Sequence, residues 1–260
     1  MSNEMKLVRK KGLVAAALVL CLLVGFSQAF AAQAEDQEEL LKKGIAHYLT
    51  GRRSFYNTEG SFVEAKEDLL VAKEYFLQLR EGEEQYCWLA KVEFVVGELE
   101  EASGEKRAAV RAFTESGRWA EQALKCNKRS SDAHRILADS YMRLMDYHGT
   151  LYMMSKGPEA MKLLNKAISL DKKNYAAFNS LATYYLNAPA IGGGSVDKGI
   201  EGLRKALEST DEHDNFLSYL WLGYAYRQAK KGEEARSYFL KALEIYPHSS
   251  WANEWLKEIR

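Results

Sequence analysis

The sequence predicts an all-α fold, a solenoid of repeated helical hairpins that ends in a capping helix. The 260-residue chain has only 3 prolines and is rich in Ala, Leu, Glu and Lys, residues that favour helices. Its apolar residues recur at the i, i+3, i+4, i+7 spacing that places them on one helix face. Similar segments return along the chain, which is the sequence sign of a repeat architecture.

The first segment differs in composition from the rest of the chain. Four basic residues between positions 6 and 11 precede an apolar run over residues 13–24, and small residues at Ala29 and Ala31 follow. This organisation predicts a secretory signal peptide, residues 1–31, cleaved after Ala31. A retained membrane anchor is the alternative, although the run is short for a spanning helix. We therefore expect an exported protein, periplasmic, in the cell envelope or secreted.

Residues 32–82 are expected to form an N-terminal helical pair that caps the array. The segment from Glu38 to Leu79 has the right helical period but a weak repeat signature. Solenoids need an atypical terminal unit, because the end of their core must be covered. Residues 83–260 are then the solenoid itself.

The clearest repeat unit runs from Phe216 to Pro247. Its first predicted helix carries one apolar face, on which a small glycine allows close approach of the second helix. A "KKGEE" turn follows, the second helix supplies a phenylalanine that fills the space between the two, and a proline ends it. The residues that carry this pattern are Tyr219, Leu222, Gly223, Tyr226, Ala235, Phe239, Ala242 and Pro247.

Three less regular copies precede this unit, over residues 175–206, 134–167 and 86–123. Compared with the last unit, the first of them has five extra residues between its two helices and the second has ten, and the third has a longer insertion still. We expect these insertions to lie along one edge of the array, where repeat proteins carry functional elaboration. At the end of the chain, Trp251 and Trp255 predict an amphipathic capping helix.

The Phe216–Pro247 unit resembles the tetratricopeptide repeat (TPR) family at all eight signature positions, with Tyr219 in place of the usual Trp. The resemblance implies about four to five antiparallel hairpins plus the capping helix, and a concave face that binds a protein or peptide. It also implies which side chains point into that groove, although a solvated helix face is the alternative. These candidate groove residues are Arg135, Asp139, Arg143, Asn179, Thr183, Asn187, Tyr224 and Arg227.

A second, looser resemblance is to the T component of TRAP-type solute transporters, whose helical repeats surround an apolar channel. It implies an alternative function, a periplasmic small-molecule carrier. Five methionines around one insertion suit either such a channel or an irregular core; they are Met142, Met145, Met153, Met154 and Met161. Members of that family are typically lipid-anchored, whereas here Leu20, not a small residue, precedes Cys21.

Catalytic and cofactor groupings are not found in the sequence. The five histidines do not form an i, i+3 or i+4 pair that would share a metal, and no nucleophile stands beside a base in a known motif. Lys+Arg and Asp+Glu both total 36, which disfavours nucleic acid as a partner. We expect a non-enzymatic scaffold without cofactor or metal, with a protein or peptide partner.

Three consecutive glycines, Gly192–Gly194, raise the question of a phosphate loop. A P-loop ends in Gly-Lys-Ser/Thr, which this loop lacks, and a dinucleotide-binding loop follows a strand, whereas here a helix precedes. Pro189 ends that helix and Ser195 is a good N-cap for the next one. The sequence favours a structural connector over an anion site.

Two cysteines remain after the expected cleavage. Cys87 is predicted near the start of one helix and Cys126 near the end of its antiparallel partner, so the two lie at neighbouring ends of one hairpin. A disulfide is geometrically compatible with that placement in an oxidising compartment, and two independently buried thiols are the alternative.

Overall fold

The computed structural model describes residues 35–58 and 62–259, and the expected signal peptide and its cleavage site lie outside them. All regular structure in these residues is helical, as predicted. The helices are α1 (35–56), α2 (Val63–Leu77), α3 (Glu83–Ala102), α4 (Lys106–Cys126), α5 (Ser131–Leu170), α6 (Tyr175–Asn187), α7 (Val196–Ala206), α8 (Glu212–Gln228), α9 (Gly232–Ile245) and α10 (Ser250–Lys257).

The helices pair as a series of antiparallel hairpins. α1 packs on α2, α3 on α4, α6 on α7 and α8 on α9, and α10 covers α9 as the predicted cap. α5 is itself a hairpin, because Gly149 (φ 75°, ψ −170°) reverses the chain in its middle. Its two halves then pack on each other, with Ala138 of the first half beside Ala160 and Leu164 of the second.

The two longer insertions extend helices instead of forming loops. α3 and α4 run for 20 and 21 residues and are joined by a short turn at 103–105. The segments "VVGELEEA" and "KRAAVRAF" contain no proline, so helix propensity carries both helices outward. The added turns create a further packing layer, in which Phe113 lies against Gly97.

One contact recurs in three hairpins and identifies them as the same kind of unit. A phenylalanine ring of the second helix lies directly on a glycine of the first, in the pairs Gly44–Phe76, Gly97–Phe113 and Gly223–Phe239. A Cβ atom built on any of the three glycines would stand 2.4–2.5 Å from a ring carbon. The N-terminal pair, whose sequence signature is weak, therefore packs like the last repeat.

The connector between α6 and α7 has the structure expected from its sequence. α6 ends at Asn187, and a single 3₁₀ turn, Ala190–Gly192, precedes α7. Gly193 has φ 91°, and a Cβ on Gly194 would lie 1.8 Å from the Ala188 carbonyl oxygen, so both positions require glycine. Their amides bond the connector's own carbonyls, which supports the connector interpretation.

Replacing Ser195 by alanine is expected to lower the free energy of unfolding by about 1 kcal/mol. The Ser195 hydroxyl caps α7 by accepting a hydrogen bond from the Lys198 amide. Ser249 is the matched control, because it holds the same N-cap position at α10 without a capping hydrogen bond. Urea denaturation of both alanine variants checks the prediction, and an equal loss for Ser249→Ala would contradict it.

The first and last hairpins meet directly. One apolar core cluster joins residues of α1, α2 and α3 to residues of α8, α9 and α10. Phe55 of α1 is fully buried with its ring centroid 5.3 Å from that of Trp251 in α10. In a simple solenoid each repeat contacts only its neighbours. Here α1 lies beside α3 and α8, which closes the array.

Candidate binding site

A cavity of about 890 Å³, lined by charged, polar and aromatic side chains, opens where α1 meets the first turns of the helices that begin the hairpins. We call it the basin. Successive hairpins stack with their first helices parallel, so α3, α5, α6 and α8 begin at the same edge of the array. The latter part of α1 supplies the remaining wall. Principal lining residues are Tyr48, Arg52, Glu83, Glu84, Trp88, Lys91, Asp132, Arg135, Lys173, Asn174, Tyr175, Thr210, Asp211 and Asp214.

Helix caps hold the basin's edge in place. Ser130, Asn174 and Asp211 cap α5, α6 and α8, each accepting a hydrogen bond from a backbone amide of the first turn. Asn174 also donates from its side-chain amide to Ser131 Oγ at 2.8 Å, which ties α6 to α5. The helix ends at this edge are therefore fixed relative to one another.

Three basic side chains in the basin are paired with carboxylates. Lys91 Nζ lies 2.6 Å from Asp132, Arg135 Nη1 lies 2.8 Å from Asp139, and Arg52 lies 3.4 Å from Asp211. Burial opposes the charge of Asp132, yet Lys91 and Arg135 together hold its pKa well below the usual range. The basin walls are thus preorganised by ion pairs, and Glu84, Lys173 and Thr210 remain exposed at its rim.

The basin floor contains two arginine side chains that are largely but not fully buried. The side chains of Arg52 and Arg135 are 15% and 14% exposed. Their Nε atoms are shielded from solvent and make no hydrogen bond within the described part of the chain, although Arg135 Nε lies 3.6 Å from Asp132 Oδ1. Both guanidinium groups are held at fixed positions by their ion pairs with Asp211 and Asp139.

Arg135 is the one candidate groove residue that lines the basin. Asp139, one turn further along α5, is buried as its ion-pair partner, and burial raises the pKa of this carboxyl. Asn179 is buried too; its amide donates to the Asp214 carbonyl oxygen at 3.0 Å and accepts from Ser218 Oγ at 2.7 Å. Asn179 therefore joins α6 to α8, whereas Asp139 is held by Arg135 of its own helix.

The remaining candidates lie away from the basin. Arg143 pairs with Glu101 of α3. Thr183 and Asn187 donate to carbonyl oxygens of their own helix, 3.0 and 2.8 Å away. Tyr224 and Arg227 lie beneath the capping helix, where the rings of Tyr224 and Trp255 are 5.2 Å apart and Arg227 pairs with Glu258. The capping helix thus covers part of the face that the resemblance implied was open.

Sequence reasoning missed the contribution of α1. Tyr48 and Arg52 belong to the N-terminal pair, which was expected only to cap the array. Their ring and guanidinium are 5.4 Å apart, and Tyr48 also packs edge-on against Trp88 at 5.5 Å. The one local signal was the "YLTGRRSFY" stretch, whose aromatic and basic residues are unusual for a cap.

The methionine cluster divides between core and surface. Met142, Met145 and Met161 pack onto the core formed by the two halves of α5 and Tyr184. Met153 and Met154 are 41% and 71% exposed on the second half of α5. These methionines do not line the basin.

Cys87 and Cys126 are free thiols in the structure, so the disulfide that their placement would allow is not formed there. Cys87 is buried with Sγ 3.7 Å from Ser130 Oγ, whereas Cys126 is exposed at the end of α4. The two helix ends are neighbours, as expected, but the two side chains have different surroundings.

The thiols are expected to differ in alkylation rate by about two orders of magnitude. Burial raises the pKa of Cys87 to about 11, so its reactive thiolate is scarce as well as hidden, whereas Cys126 is accessible. Timed iodoacetamide labelling of the native protein, read by peptide mass spectrometry, checks this. Equal rates, or a disulfide-linked peptide pair without reduction, would contradict it.

Metal and membrane signals are absent from the described residues. No group of three or more His, Cys, Asp or Glu side chains there is placed to hold a metal ion. None of the described helices combines the length and the apolar character needed to cross a bilayer.

Residues 216–249 match the tetratricopeptide repeat family. No curated protein sequence matches the chain. Among solved structures, TTC0263, a thermophilic TPR protein of Thermus thermophilus, has a TM-score of 0.55 at 17% identity, over 85% of this chain and 97% of that one. This chain has a TPR-type solenoid fold. The human IFIT1 dimer with PPP-AAAA has a TM-score of 0.56 at 16% identity, over 90% of this chain and 57% of that one.

At 16–17% sequence identity, the similarity to these two structures concerns the fold alone. The TPR solenoid is complete in its hairpin geometry from α1 to α9, although the family match covers only the last hairpin. In this TPR solenoid α1 closes the array and gives the basin one of its walls.

Proposed function

We propose that this chain is a non-enzymatic TPR scaffold whose basin holds a polypeptide segment of a partner protein. A TPR fold supports the general role of protein-interaction scaffold. The observation that carries the specific proposal is the basin, a cavity of about 890 Å³ bounded by α1 and the first turns of four other helices. Its size is in the range of ligand pockets.

The chemistry of the basin fits a polypeptide backbone. Its walls present donors and acceptors at fixed positions, and a peptide offers alternating carbonyl and amide groups to meet them. Arg52, Lys91 and Arg135 line the basin and carry N–H donors, and the Trp88 and Tyr175 rings supply apolar contact. A carrier of apolar small molecules would need an apolar channel, which charged walls of this kind disfavour.

We further propose that the protein works outside the cytoplasm, in a cell-envelope assembly. Support for this comes from the composition of residues 1–31, which is typical of a cleaved signal peptide. N-terminal sequencing of the protein recovered from cells tests it. A mature chain that begins near residue 32 would support export, and one that keeps its first residues would contradict cleavage.

Site-specific photo-crosslinking tests the binding site. Glu84, exposed at the basin rim, is replaced by p-benzoylphenylalanine, and the cells are irradiated before isolation. Leu240, 44% exposed on α9, receives the same crosslinker as a matched control, because it lies outside the basin. We expect a discrete protein adduct from the Glu84 position that is missing from the Leu240 position.

A third variant decides whether an adduct depends on the basin floor. Arg135→Met removes the guanidinium and keeps much of the side chain's volume, so the adduct at position 84 should fall at least several-fold. An unchanged adduct, or the same adduct at position 240, would overturn the proposal.

A further inference from the structure

The last turn of α1 is attached to the other end of the chain by a dense set of contacts. Tyr56 is 6% exposed, and its hydroxyl donates to Glu98 Oε2 of α3 at 2.6 Å. Its ring lies 4.5 Å from the ring of His213 and 5.9 Å from that of Phe216, both in α8. Tyr56 is therefore wedged between the second hairpin and the last one.

Polar contacts surround this aromatic wedge. Arg53 lies 3.8 Å from Glu212, and Asn57 Oδ1 accepts from the His248 amide at 2.9 Å. Arg52, which pairs with Asp211, is at once part of this attachment and part of the basin wall. Separating α1 from α8 would therefore take away one side of the basin.

His213 stands at the centre of the attachment in a setting that disfavours positive charge. It is buried, with Nδ1 3.4 Å from the Tyr246 hydroxyl and rings on its other sides. The titratable and charged groups around it are Tyr56 and Arg52 of α1, Arg135 of α5, Asp211 before α8, Asp214 in its first turn, and Tyr246 after α9. Both arginines repel an imidazolium at this position.

We infer that the last turn of α1 is a latch on the last repeat, and that protonation of His213 at acid pH releases it and opens the basin. The inference rests on the proposed function in one respect, that the basin is the site the latch controls. An exported protein would meet changes of external pH, which gives such a latch an occasion to work.

The direction of the pH dependence follows from the buried histidine. Burial, followed by the charges of Arg52 and Arg135, lowers the pKa of His213 well below 6.5. Once α1 detaches, water reaches the imidazole and its pKa returns towards 6.5. The open state, with α1 detached, then binds the extra proton. The closed state, with α1 packed on the last repeat, therefore loses stability as pH falls below about 6.5 towards the pKa of the buried His213.

Glu98 acts in the opposite direction and must be separated from His213. Burial raises the pKa of Glu98, although Arg143 and the Tyr56 hydroxyl oppose the shift. The closed state therefore binds a proton on Glu98 more readily than an open state would, which favours closure as pH falls. Glu98→Gln keeps an acceptor for Tyr56 and removes this titration.

Hydrogen exchange of the full chain tests the latch. Exchange of α1 peptides is followed at pH 7.5, 6.5 and 5.5, with intrinsic rates corrected for pH, in the wild type and in Glu98→Gln. We expect the opening equilibrium of the last turn of α1 to rise below pH 6.5 by up to about tenfold per pH unit. The α4 amides, which are remote from His213, should keep their protection.

Three variants decide whether His213 is responsible. His213→Phe should abolish the rise, and His213→Gln provides a second neutral side chain if the phenylalanine does not fit. His47→Gln is the matched control, because His47 pairs with Asp68 on α2, away from the latch, and should leave the rise intact. The inference would be overturned if the opening equilibrium of α1 did not change with pH. It would also be overturned if the rise at low pH persisted in both His213 variants.

The hydrogen-exchange test of the latch and the crosslinking test of the binding site can fail independently of each other. Acid opening of α1 without a crosslinked partner at position 84 would support the latch and contradict the binding role. A partner that binds while α1 stays closed at every pH would support the binding role and contradict the latch.

Discussion

Phe55→Ala is expected to lower the free energy of unfolding by about 4 kcal/mol and to part the first hairpin from the last. The Phe55 ring is fully buried and packs on Phe62 and Trp251, with centroids 5.3 Å apart in both pairs. Its removal leaves a cavity at the junction of α1 and α10. Urea denaturation measures the loss, and small-angle scattering should show a larger radius of gyration.

Phe113→Ala is the matched control for this prediction. Phe113 is equally buried but lies against Gly97 and Phe94 of α3 and Tyr147 of α5, away from the junction of the first and last hairpins. Phe113→Ala should lower the free energy of unfolding by a similar amount without increasing the radius of gyration. Equal scattering from both variants, at a temperature where both are folded, would show that Phe55 does not hold the array closed.

Gly223→Ala is expected to destabilise the last repeat by about 3 kcal/mol. A Cβ at this position would stand 2.4 Å from a ring carbon of Phe239, so the ring or the helix must move. Alanine favours helix over glycine by up to about 1 kcal/mol, but this gain is smaller than the cost of the clash. Thermal and urea denaturation measure the net effect.

Two further variants test whether the clash with Phe239 causes the loss of stability in Gly223→Ala. Gly82→Ala places its Cβ where nothing lies within 4 Å, so it should cost no more than the difference between glycine and alanine at an N-cap, at most about 1 kcal/mol. Phe239→Leu shortens the ring that meets the new methyl group, so it should recover part of the loss in the double variant. Strictly additive losses for Gly223→Ala and Phe239→Leu would contradict the contact.

The order and pairing of the hairpins could be predicted because they depend on local pattern. The apolar face around Gly223 and Phe239 specifies a close helix pair without reference to the rest of the chain. The Pro189 and Ser195 boundaries were predictable for the same reason, since helix stops and caps act within one turn. The form of the longer insertions was harder to predict, because their added length was visible, whereas their continued helicity depended on weak propensities.

The candidate site was much harder to predict. The expected groove residues assumed an open concave face, and of these Arg135 alone lines the basin. Tyr224 and Arg227 are held beneath α10 by Trp255 and Glu258. The position of a residue within its repeat indicates where its side chain points in its own hairpin. It does not indicate whether another helix covers that side chain.

The sequence by itself determined that this chain folds into stacked helical hairpins with a capped end, because periodicity, small residues and caps act over one or two helical turns. Only the tertiary structure decided that α1 lies beside α8, joining Tyr56 to His213 and Arg52 to Asp211. The reason is physical. Contacts between residues so far apart in the chain depend on the accumulated twist of every intervening hairpin, to which no single segment of sequence points.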